Sequence, residues 1–362
     1  MYTDTHFHFS YFSQNGEDFG TGILETMAKD SAFLGLDVGT KCDDLLSRRD
    51  FISDCIEAIS DSNTKHKCER MIRFSAGIWP DVESIKNRES CMETLREQIE
   101  EFKEEGDVFS NHLVAIGEAG LDHHWNPSGA DGRSEDDFDT AVYEGERELF
   151  AMQLELAREL DLPFIVHSRD AFDDTLDVIK NCGYNKGVIH CFSYGMEEAR
   201  KFLDLGWYIA FGGGVTYTKK SRMDEMNELL RFVPDDRILL ETDAPYLAPV
   251  PLRGTENSSA PISSRYALRS DGIGSIYATP FRSNEACTQS SYFLRHVPVK
   301  NFSLASLPSA RHTSRTAPFM AIVLNVTISE QYSPCLLKMY CLTSLIRLGG
   351  KSVSISLKDT RS

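Results

Sequence analysis

The chain has 362 residues, 41% of them hydrophobic, and a net charge of −17 at neutral pH. This length suits a barrel enzyme with additions and is ample for a large buried core. The acidic balance excludes a general coat protein of nucleic acid or of a membrane surface, because both partners are polyanions that favour basic proteins. An acidic enzyme can still act on a phosphate where a metal ion or local Lys and Arg residues reverse the sign.

The cysteines and the apolar runs bear on the compartment. Nine cysteines are scattered without a CxxC pair, and the odd number favours reduced thiols over a disulfide framework. The first residues carry neither a basic region nor a long apolar region, so we expect no signal peptide. The longest mostly apolar run, 317–328, is about half of the ~20 residues that span a bilayer. We therefore expect a cytoplasmic protein that does not engage a membrane.

Short apolar runs alternate with helix-like stretches through the first 257 residues. The clearest helical stretch is 143–160, where Leu149, Met152, Leu156 and Leu160 recur at helical spacing before Pro163. Strands that alternate with helices predict βα units and a parallel sheet, and eight of them indicate an α/β fold of the closed (β/α)8 TIM-barrel type. The candidate strands are 2–6, 32–38, 71–78, 113–117, 164–167, 188–190, 208–211 and 238–241.

The composition changes abruptly near residue 258. Residues 258–362 carry a net charge of +8 and 20 serines, whereas residues 1–257 carry −25 and 16 serines. We therefore predict a hydrolase barrel over 1–261 and an atypical Ser/Arg-rich tail over 262–362 that lacks the expected closing helix. A frameshifted or mis-predicted reading frame is the interpretation we favour for the tail. A fused extension and a disordered basic tail that binds nucleic acid are the alternatives.

Six side chains of metal-ligating type end or follow five of the candidate strands. Residues two apart in extended chain point to the same side, and the carboxyl ends of barrel strands surround one mouth, so the six side chains should converge. Nitrogen and oxygen donors without a thiolate suit Zn, Mn, Fe or Mg-like ions. Six ligands exceed the need of one open ion but suffice for two ions that share a carboxylate. The six are His6, His8, Glu118, His167, His190 and Asp243.

Each of these residues also has a simpler interpretation. The His-x-His pair could be a chance surface pair, and Glu118 could be a charge at a helix N-terminus. His167 could be a hydrogen-bonded core histidine, and Asp243 could cap the next helix. Cys191, beside His190, could be a thiol nucleophile, although its neighbours look like barrel core. All six residues lie at or just past the carboxyl ends of candidate strands, and this shared position favours the metal site.

The segments that carry these residues match a known family. The chain resembles the TatD-type metal-dependent deoxyribonucleases of the amidohydrolase-like barrel superfamily, and the matching segments keep the family's order across about 255 residues. They are Thr-Asp-Thr-His-Phe-His at 3–8, Ile-Gly-Glu-Ala-Gly-Leu-Asp at 116–122, His-Ser-Arg-Asp-Ala at 167–171, His-Cys-Phe-Ser at 190–193, and Glu-Thr-Asp-Ala-Pro-Tyr-Leu-Ala-Pro at 241–249, continuing into 251–254 and 257.

The resemblance implies a centre of two divalent ions, with Mg, Zn and Mn as candidates. His6, His8, Glu118 and Asp243 would hold one ion, and Glu118, His167 and His190 the other. Glu118 and Asp243 would be catalytic, with Asp243 taking a proton from the attacking water. The implied reaction is hydrolysis of phosphodiester bonds at the 3′ end of single-stranded DNA, or of RNA. A nucleic-acid end would be the partner, and no obligate protein partner is implied.

Substrate contacts are expected around the mouth. We assign them to Arg169, Arg253 and Asn257 from the matching segments, and to His124 and Trp79 from their places near the mouth. Trp79 stands where the family commonly has a histidine, and it could stack on a base or belong to the core. The acidic insertion 126–139 would form a solvated loop nearby.

Two other functions stay open, the first because of the departure at Trp79 and the second because of the missing closing helix. One is a superfamily hydrolase of a small amide or ester, because a fold does not fix its substrate. The other is an inactive, truncated barrel.

Overall fold

The fold is described by a computed structural model over residues 2–30, 32–104, 106–124 and 139–259, with two short strands near the C-terminus. Eight parallel strands follow one another in chain order in a single sheet. The predicted (β/α)8 TIM barrel is thereby confirmed. The strands are β1 Tyr2–Phe7, β2 Ala32–Asp37, β3 Ile72–Ala76, β4 Leu113–Asp122, β5 Phe164–Arg169, β6 Gly187–Ile189, β7 Tyr208–Phe211 and β8 Ile238–Leu240.

Helices connect successive strands along the described chain. The predicted helix at 143–160 is confirmed as α6, which begins three residues earlier. Its long apolar stripe packs on the sheet, with Leu149, Leu156 and Phe150 buried. The helices are α1 Glu17–Lys29, α2 Leu45–Glu57, α3 Ser62–Met71, α4 Val82–Lys86, α5 Arg88–Phe102, α6 Thr140–Leu160, α7 Phe172–Cys182, α8 Met196–Asp204 and α9 Met223–Phe232.

Aspartates begin several of these helices. Asp61, Asp81 and Asp139 precede α3, α4 and α6, and each side chain accepts a hydrogen bond from a backbone N–H of the first turn. Helix α6 ends at Asp161, which adopts the left-handed conformation before the chain enters β5. These local signals fix where each βα unit turns, and so where the strand ends lie.

The barrel closes through the segment that follows β8. Asp243 N donates to His6 O at 2.9 Å, and His8 N donates to Ala244 O at 2.7 Å. Inside the barrel, aliphatic side chains from β2 and β4 to β8 form a small buried cluster that includes Leu36, Ile165 and Leu239. The closure therefore places the residues after β8 directly beside the end of β1.

Strand β4 is longer than the sequence predicts. The expected strand ends at residue 117, but β4 runs to Asp122, so Glu118 lies within the strand and not after it. Glycines allow this course, because a methyl group at Gly120 would collide with the carbonyl oxygen of His167 on β5. The close approach of β4 and β5 brings Glu118 and His167 to the same level of the barrel.

A separate unit contains two short strands, Ile346–Leu348 and Lys351–Val353, which pair antiparallel. This pair was not predicted from the sequence. The proposed domain boundary at 261 and the missing closing helix lie outside the described residues, as do most of the tail and the insertion at 126–138. None of the described helices has the length and apolar character needed to cross a membrane.

Candidate metal centre

Glu118 lies at the middle of the six predicted ligands, which the structure brings together at the mouth. Its Oε2 is 3.0 Å from His6 Nε2 and 3.5 Å from His8 Nε2. Its Oε1 is 3.0 Å from His167 Nδ1 and 3.4 Å from His190 Nε2. Each oxygen of this buried carboxylate therefore faces a different pair of histidines.

Asp243 joins the pair formed by His6 and His8. Its Oδ1 is 3.6 Å from His6 Nε2 and 3.4 Å from His8 Nε2. The turn that presents Asp243 is fixed by the buried Asp4, whose Oδ1 accepts from Thr242 N at 3.0 Å and whose Oδ2 accepts from Thr242 Oγ1 at 2.7 Å. Asp243 itself has a positive φ of 56°, a backbone conformation that residues other than glycine rarely adopt. The loop geometry therefore aims this carboxylate at the histidine pair.

The loop after β2 orients His8 and Glu118 by backbone groups. His8 Nδ1 lies 3.0 Å from Val38 O, which leaves Nε2 for the cluster, and Glu118 N donates to Gly39 O at 3.0 Å. The buried guanidinium of Arg48 supports this loop: its Nε donates to Asp44 at 2.9 Å, and its side chain also pairs with Asp37. On this side of the centre, main-chain carbonyls hold the ligands.

On the other side of Glu118, the side chain of Asp122 orients His167. His167 Nε2 lies 3.0 Å from Asp122 Oδ2, which leaves Nδ1 facing Glu118 and His190. Asp122 is held in turn by the fully buried Glu146 of α6, whose Oε1 accepts from Asp122 N at 2.8 Å. A carboxylate behind an imidazole is a frequent outer contact of metal-ligating histidines, and it fixes the ring's tautomer.

Burial and the nearby carboxylates have opposite effects on the pKa values of the histidines. Burial lowers the pKa of His6 to about 4, and the nearby His190 acts in the same direction. Burial would lower the pKa of His8 too, but its hydrogen bond to Asp243 and the charge of Glu118 outweigh burial and raise the pKa to about 9. The pKa values of His6 and His8 thus shift in opposite directions within one cluster.

His167 and Glu118 show the same competition. Burial opposes the protonation of His167, but Asp122 and Glu118 outweigh it and raise its pKa to about 10. Burial opposes the ionisation of Glu118, yet the charge of His190 and hydrogen bonds from the histidines hold its pKa well below the usual range. The centre therefore favours positive charge between its carboxylates.

The donor set fits divalent metal. Two groups of three donor atoms lie within 4.8 Å of one another, His6 with Glu118 and His190, and His6 with His8 and Asp243. His6 Nε2 and His8 Nε2 are only 3.3 Å apart, so ring nitrogens face one another as well as carboxylate oxygens. Imidazole nitrogens and carboxylate oxygens without a thiolate suit Zn, Mn or Fe, and carboxylates also suit Mg.

Three of the predicted substrate contacts lie beside the His167 side of the centre. The ring of Trp79, which is partly buried, is 5.7 Å from the ring of His167 and nearly perpendicular to it. Arg169, also partly buried, has its guanidinium 3.9 Å from Asp122. His124 Nδ1 lies 2.7 Å from Asp170 at the surface. Their contact with a substrate stays a prediction.

The other two predicted contacts lie in the loop after β8. Arg253 is exposed, and its guanidinium stacks 4.3 Å above the ring of Tyr217. Asn257 is buried, and its amide donates to Thr242 O at 2.9 Å and to Tyr246 O at 2.8 Å. Asn257 therefore shapes the loop that presents Asp243, and a direct contact with substrate stays a prediction for both residues.

Asp122 and Arg48 support the centre but were not predicted from the sequence. Asp122 ends the quoted segment at 116–122, and its position directly before His123 and His124 could have marked it as a strand-end carboxylate. Arg48 gave no signal in the sequence, because an arginine usually faces solvent. The thiol considered at Cys191 is disfavoured as a nucleophile, since burial and the nearby carboxylates raise its pKa well above the usual value.

The fold and the site together define a (β/α)8 barrel with clustered histidines and carboxylates at the carboxyl ends of its strands. The family model described as TatD related DNase matches residues 3–269. The chain belongs to this family, as its motifs predicted.

Known proteins agree with this assignment. The chain is 43% identical over 153 residues to the uncharacterized metal-dependent hydrolase YcfH of Escherichia coli K12, a match that covers 41% of this chain and 51% of that protein. It is 34% identical over 186 residues to the uncharacterized metal-dependent hydrolase YabD of Bacillus subtilis, covering 51% of this chain and 63% of that protein. The chain thus spans about half to three fifths of these curated relatives.

A solved structure supports the fold. The crystal structure of YJJV, a TatD homolog from Escherichia coli K12, superposes with a TM-score of 0.60 at 24% identity. The match covers 82% of this chain and 98% of that one.

Proposed function

We propose that the chain is a metal-dependent hydrolase that cleaves phosphodiester bonds at the 3′ end of single-stranded DNA, through water activated at two divalent ions. The observation that carries this proposal is the division of the Glu118 carboxylate, with one oxygen facing His6 and His8 and the other facing His167 and His190. A carboxylate shared in this way is the usual centre of a two-ion hydrolase site.

The residues present could hold both ions. His6, His8 and Asp243 would bind one ion together with Glu118, and His167 and His190 would bind the other. Bound there, Mg, Zn or Mn would lower the pKa of water from 15.7 toward about 7 and neutralise the charge of a phosphate. The relatives named as metal-dependent hydrolases support this use of the site.

Asp243 is the best candidate to take the proton from the attacking water. Its side chain is 14% exposed, against 6% for Glu118, so water reaches it more easily. Burial opposes its ionisation, but its hydrogen bond with His8 and the charges of His6 and His8 lower its pKa. An ionised carboxylate at the open side of the centre can accept a proton at neutral pH.

The charge distribution favours a short contact with a nucleic-acid end. Residues 1–257 carry a net charge of −25, which opposes tracking along a long polyanion. At the mouth, the bound ions and the exposed Arg253 would offer positive charge to a phosphate. Trp79, beside His167, offers an aromatic ring to a base.

The test is the hydrolysis of 5′-labelled single-stranded DNA by the whole chain, with Mg2+ or Mn2+ and with chelator. We expect stepwise shortening from the 3′ end that stops when the chelator removes the metal. RNA of the same sequence, closed circular duplex and a panel of small esters and amides are assayed in parallel. Efficient nicking of a supercoiled plasmid would contradict the exonuclease proposal, and preferred cleavage of a small ester or amide would move the function to the wider superfamily.

A further inference from the structure

Two tyrosines form an aromatic pair at the rim of the mouth. Tyr11 lies three residues after His8, in the short 3-10 helix Phe9–Asn15, and Tyr246 lies three residues after Asp243. Their ring centroids are 5.8 Å apart with an interplanar angle of 66°. Tyr246 is 51% exposed, which makes it one of the few large apolar side chains that face solvent in the described residues.

Both rings adjoin a ligand of the metal centre. The ring of Tyr11 is 5.6 Å from the ring of His8, and the ring of Tyr246 is 6.1 Å from it, each in a tilted edge arrangement. A group bound against the Tyr246 face would therefore lie one side chain away from His8. A base stacked on that face would adjoin the centre that would bind its phosphate.

The loop holds Tyr246 in this position before any substrate arrives. Tyr246 N donates to Asp243 O at 2.8 Å, and Tyr246 O accepts from the buried Asn257 amide at 2.8 Å. The Tyr11 ring supports it on one side. An exposed ring that needs no ordering on binding loses little conformational entropy and can stabilise a bound group more effectively.

The chemistry of the pair favours a base over a phosphate. An aromatic face carries no charge for a phosphate, but it stacks with any nucleobase, and such stacking tolerates changes of sequence. The exposed Arg253 of the same loop provides positive charge for a neighbouring phosphate.

We propose that Tyr246, supported by Tyr11, is the platform on which the base beside the scissile phosphodiester bond stacks. This inference rests on the proposed nucleic-acid function and adds a base subsite on the His8 side of the centre. The platform binds either the leaving nucleotide or the nucleotide that remains on the chain, and it reads no sequence.

The experiment compares Tyr246→Leu with the wild-type chain on 5′-labelled single-stranded DNA and on two oligonucleotides that lack one base. One lacks the base of the 3′-terminal nucleotide, and the other lacks the base on the opposite side of the scissile bond. On intact DNA we expect Tyr246→Leu to raise KM by about 5- to 150-fold, the range of one lost base stack. On one of the two abasic substrates the variant and the wild type should have the same KM.

Two controls separate stacking from folding. Tyr246→Phe keeps the ring, so its KM should stay within about twofold of the wild type. Phe19→Leu removes another exposed aromatic ring, 40% exposed on α1, and should leave KM unchanged. Metal binding and the melting temperature of Tyr246→Leu should match the wild type, because the ring is half exposed.

Equal KM for the wild type and Tyr246→Leu on intact DNA would overturn the platform, and so would an undiminished effect on both abasic substrates. A wild-type chain that cleaves no oligonucleotide with any divalent ion would instead refute the proposed function, and the platform with it. The two failures are distinct, since the first is read from the variant and the second from the wild type alone.

Discussion

The predicted ligands on the two sides of Glu118 are held by different means. On one side, His8 is oriented by the backbone carbonyl of Val38 at 3.0 Å, in a loop supported by the buried Arg48. On the other side, His167 is oriented by the side chain of Asp122 at 3.0 Å. Backbone support survives most substitutions, whereas the support of His167 can be removed by changing one residue.

The two sides of the centre should therefore be sensitive to different substitutions. Loss of the His8 side requires disruption of the loop after β2. That change would also break the buried ion pairs and hydrogen bonds of Arg48, which hold β2, β3 and α2 together. Damage to the His167 side requires only the loss of a charge at Asp122. Stability and metal affinity should therefore respond differently to changes on the two sides.

The largest effect should come from the residue that both sides share. In the proposed two-ion centre, Glu118→Ala would remove a ligand oxygen from each ion, so we expect hydrolysis to fall by more than about 100-fold, beyond the range of outer contacts. Loss of either His6 or His190 alone should cost less. The measurement is kcat/KM on single-stranded DNA, with Glu144→Ala, an exposed glutamate of α6, as control. Near-normal activity of Glu118→Ala would contradict the shared carboxylate.

Arg48→Met tests the support of the His8 side. Arg48 is 2% exposed and pairs with the buried Asp37, so its loss leaves a buried carboxylate without its partner. We expect the free energy of unfolding to fall by about 3–5 kcal/mol, as measured by urea denaturation. Arg96→Met removes a surface pair with Glu159 and should cost at most about 1 kcal/mol. Equal losses in the two variants would show that the Arg48 cluster does not stabilise this side.

Asp122→Asn tests the support of the His167 side. The amide keeps the size of the side chain but removes the charge that fixes the His167 ring. We expect one of the two ions to bind about 10- to 100-fold more weakly while the other keeps its affinity, as measured by metal titration. Asp236→Asn, which alters an exposed aspartate before β8, at the strand end opposite the centre, should change neither affinity. Equal weakening of both ions would show that Asp122 does not act through His167 alone.

Trp79→Leu should have the smallest effect. The ring is partly buried and stands edge-on to His167, so we expect about 1 kcal/mol of lost substrate binding, at the low end of base stacking. The measurement is KM on single-stranded DNA. A loss of metal instead of substrate affinity would assign Trp79 to the packing of His167.

Much of this arrangement could be predicted from the sequence. The alternation of strands and helices predicted the barrel, and the common phase of His6, His167 and His190 at strand ends predicted that they would meet. Strand β4 was predicted too short, because Gly117, Glu118 and Gly120 interrupt its apolar run. Only the close packing against β5 explains why these residues remain in the strand.

The outer contacts could not be predicted in the same way. Asp122 and Glu146 are 24 residues apart, and the pairing of Arg48 with Asp37 joins a helix to a strand. Burial of a charge depends on which partner the fold brings near it, and local sequence pattern carries no such information. Sequence therefore identified the six central side chains but not the residues that hold them.

The central claim is that Glu118 joins two ions, and electron paramagnetic resonance of the Mn2+-loaded whole chain tests it most directly. Two Mn2+ ions bound on either side of one carboxylate would lie about 3.5–4 Å apart and interact magnetically. We predict the broadened spectrum of a coupled pair in the wild type, and its loss in Glu118→Ala. A wild-type spectrum of isolated Mn2+ ions at every metal-to-protein ratio would contradict the account.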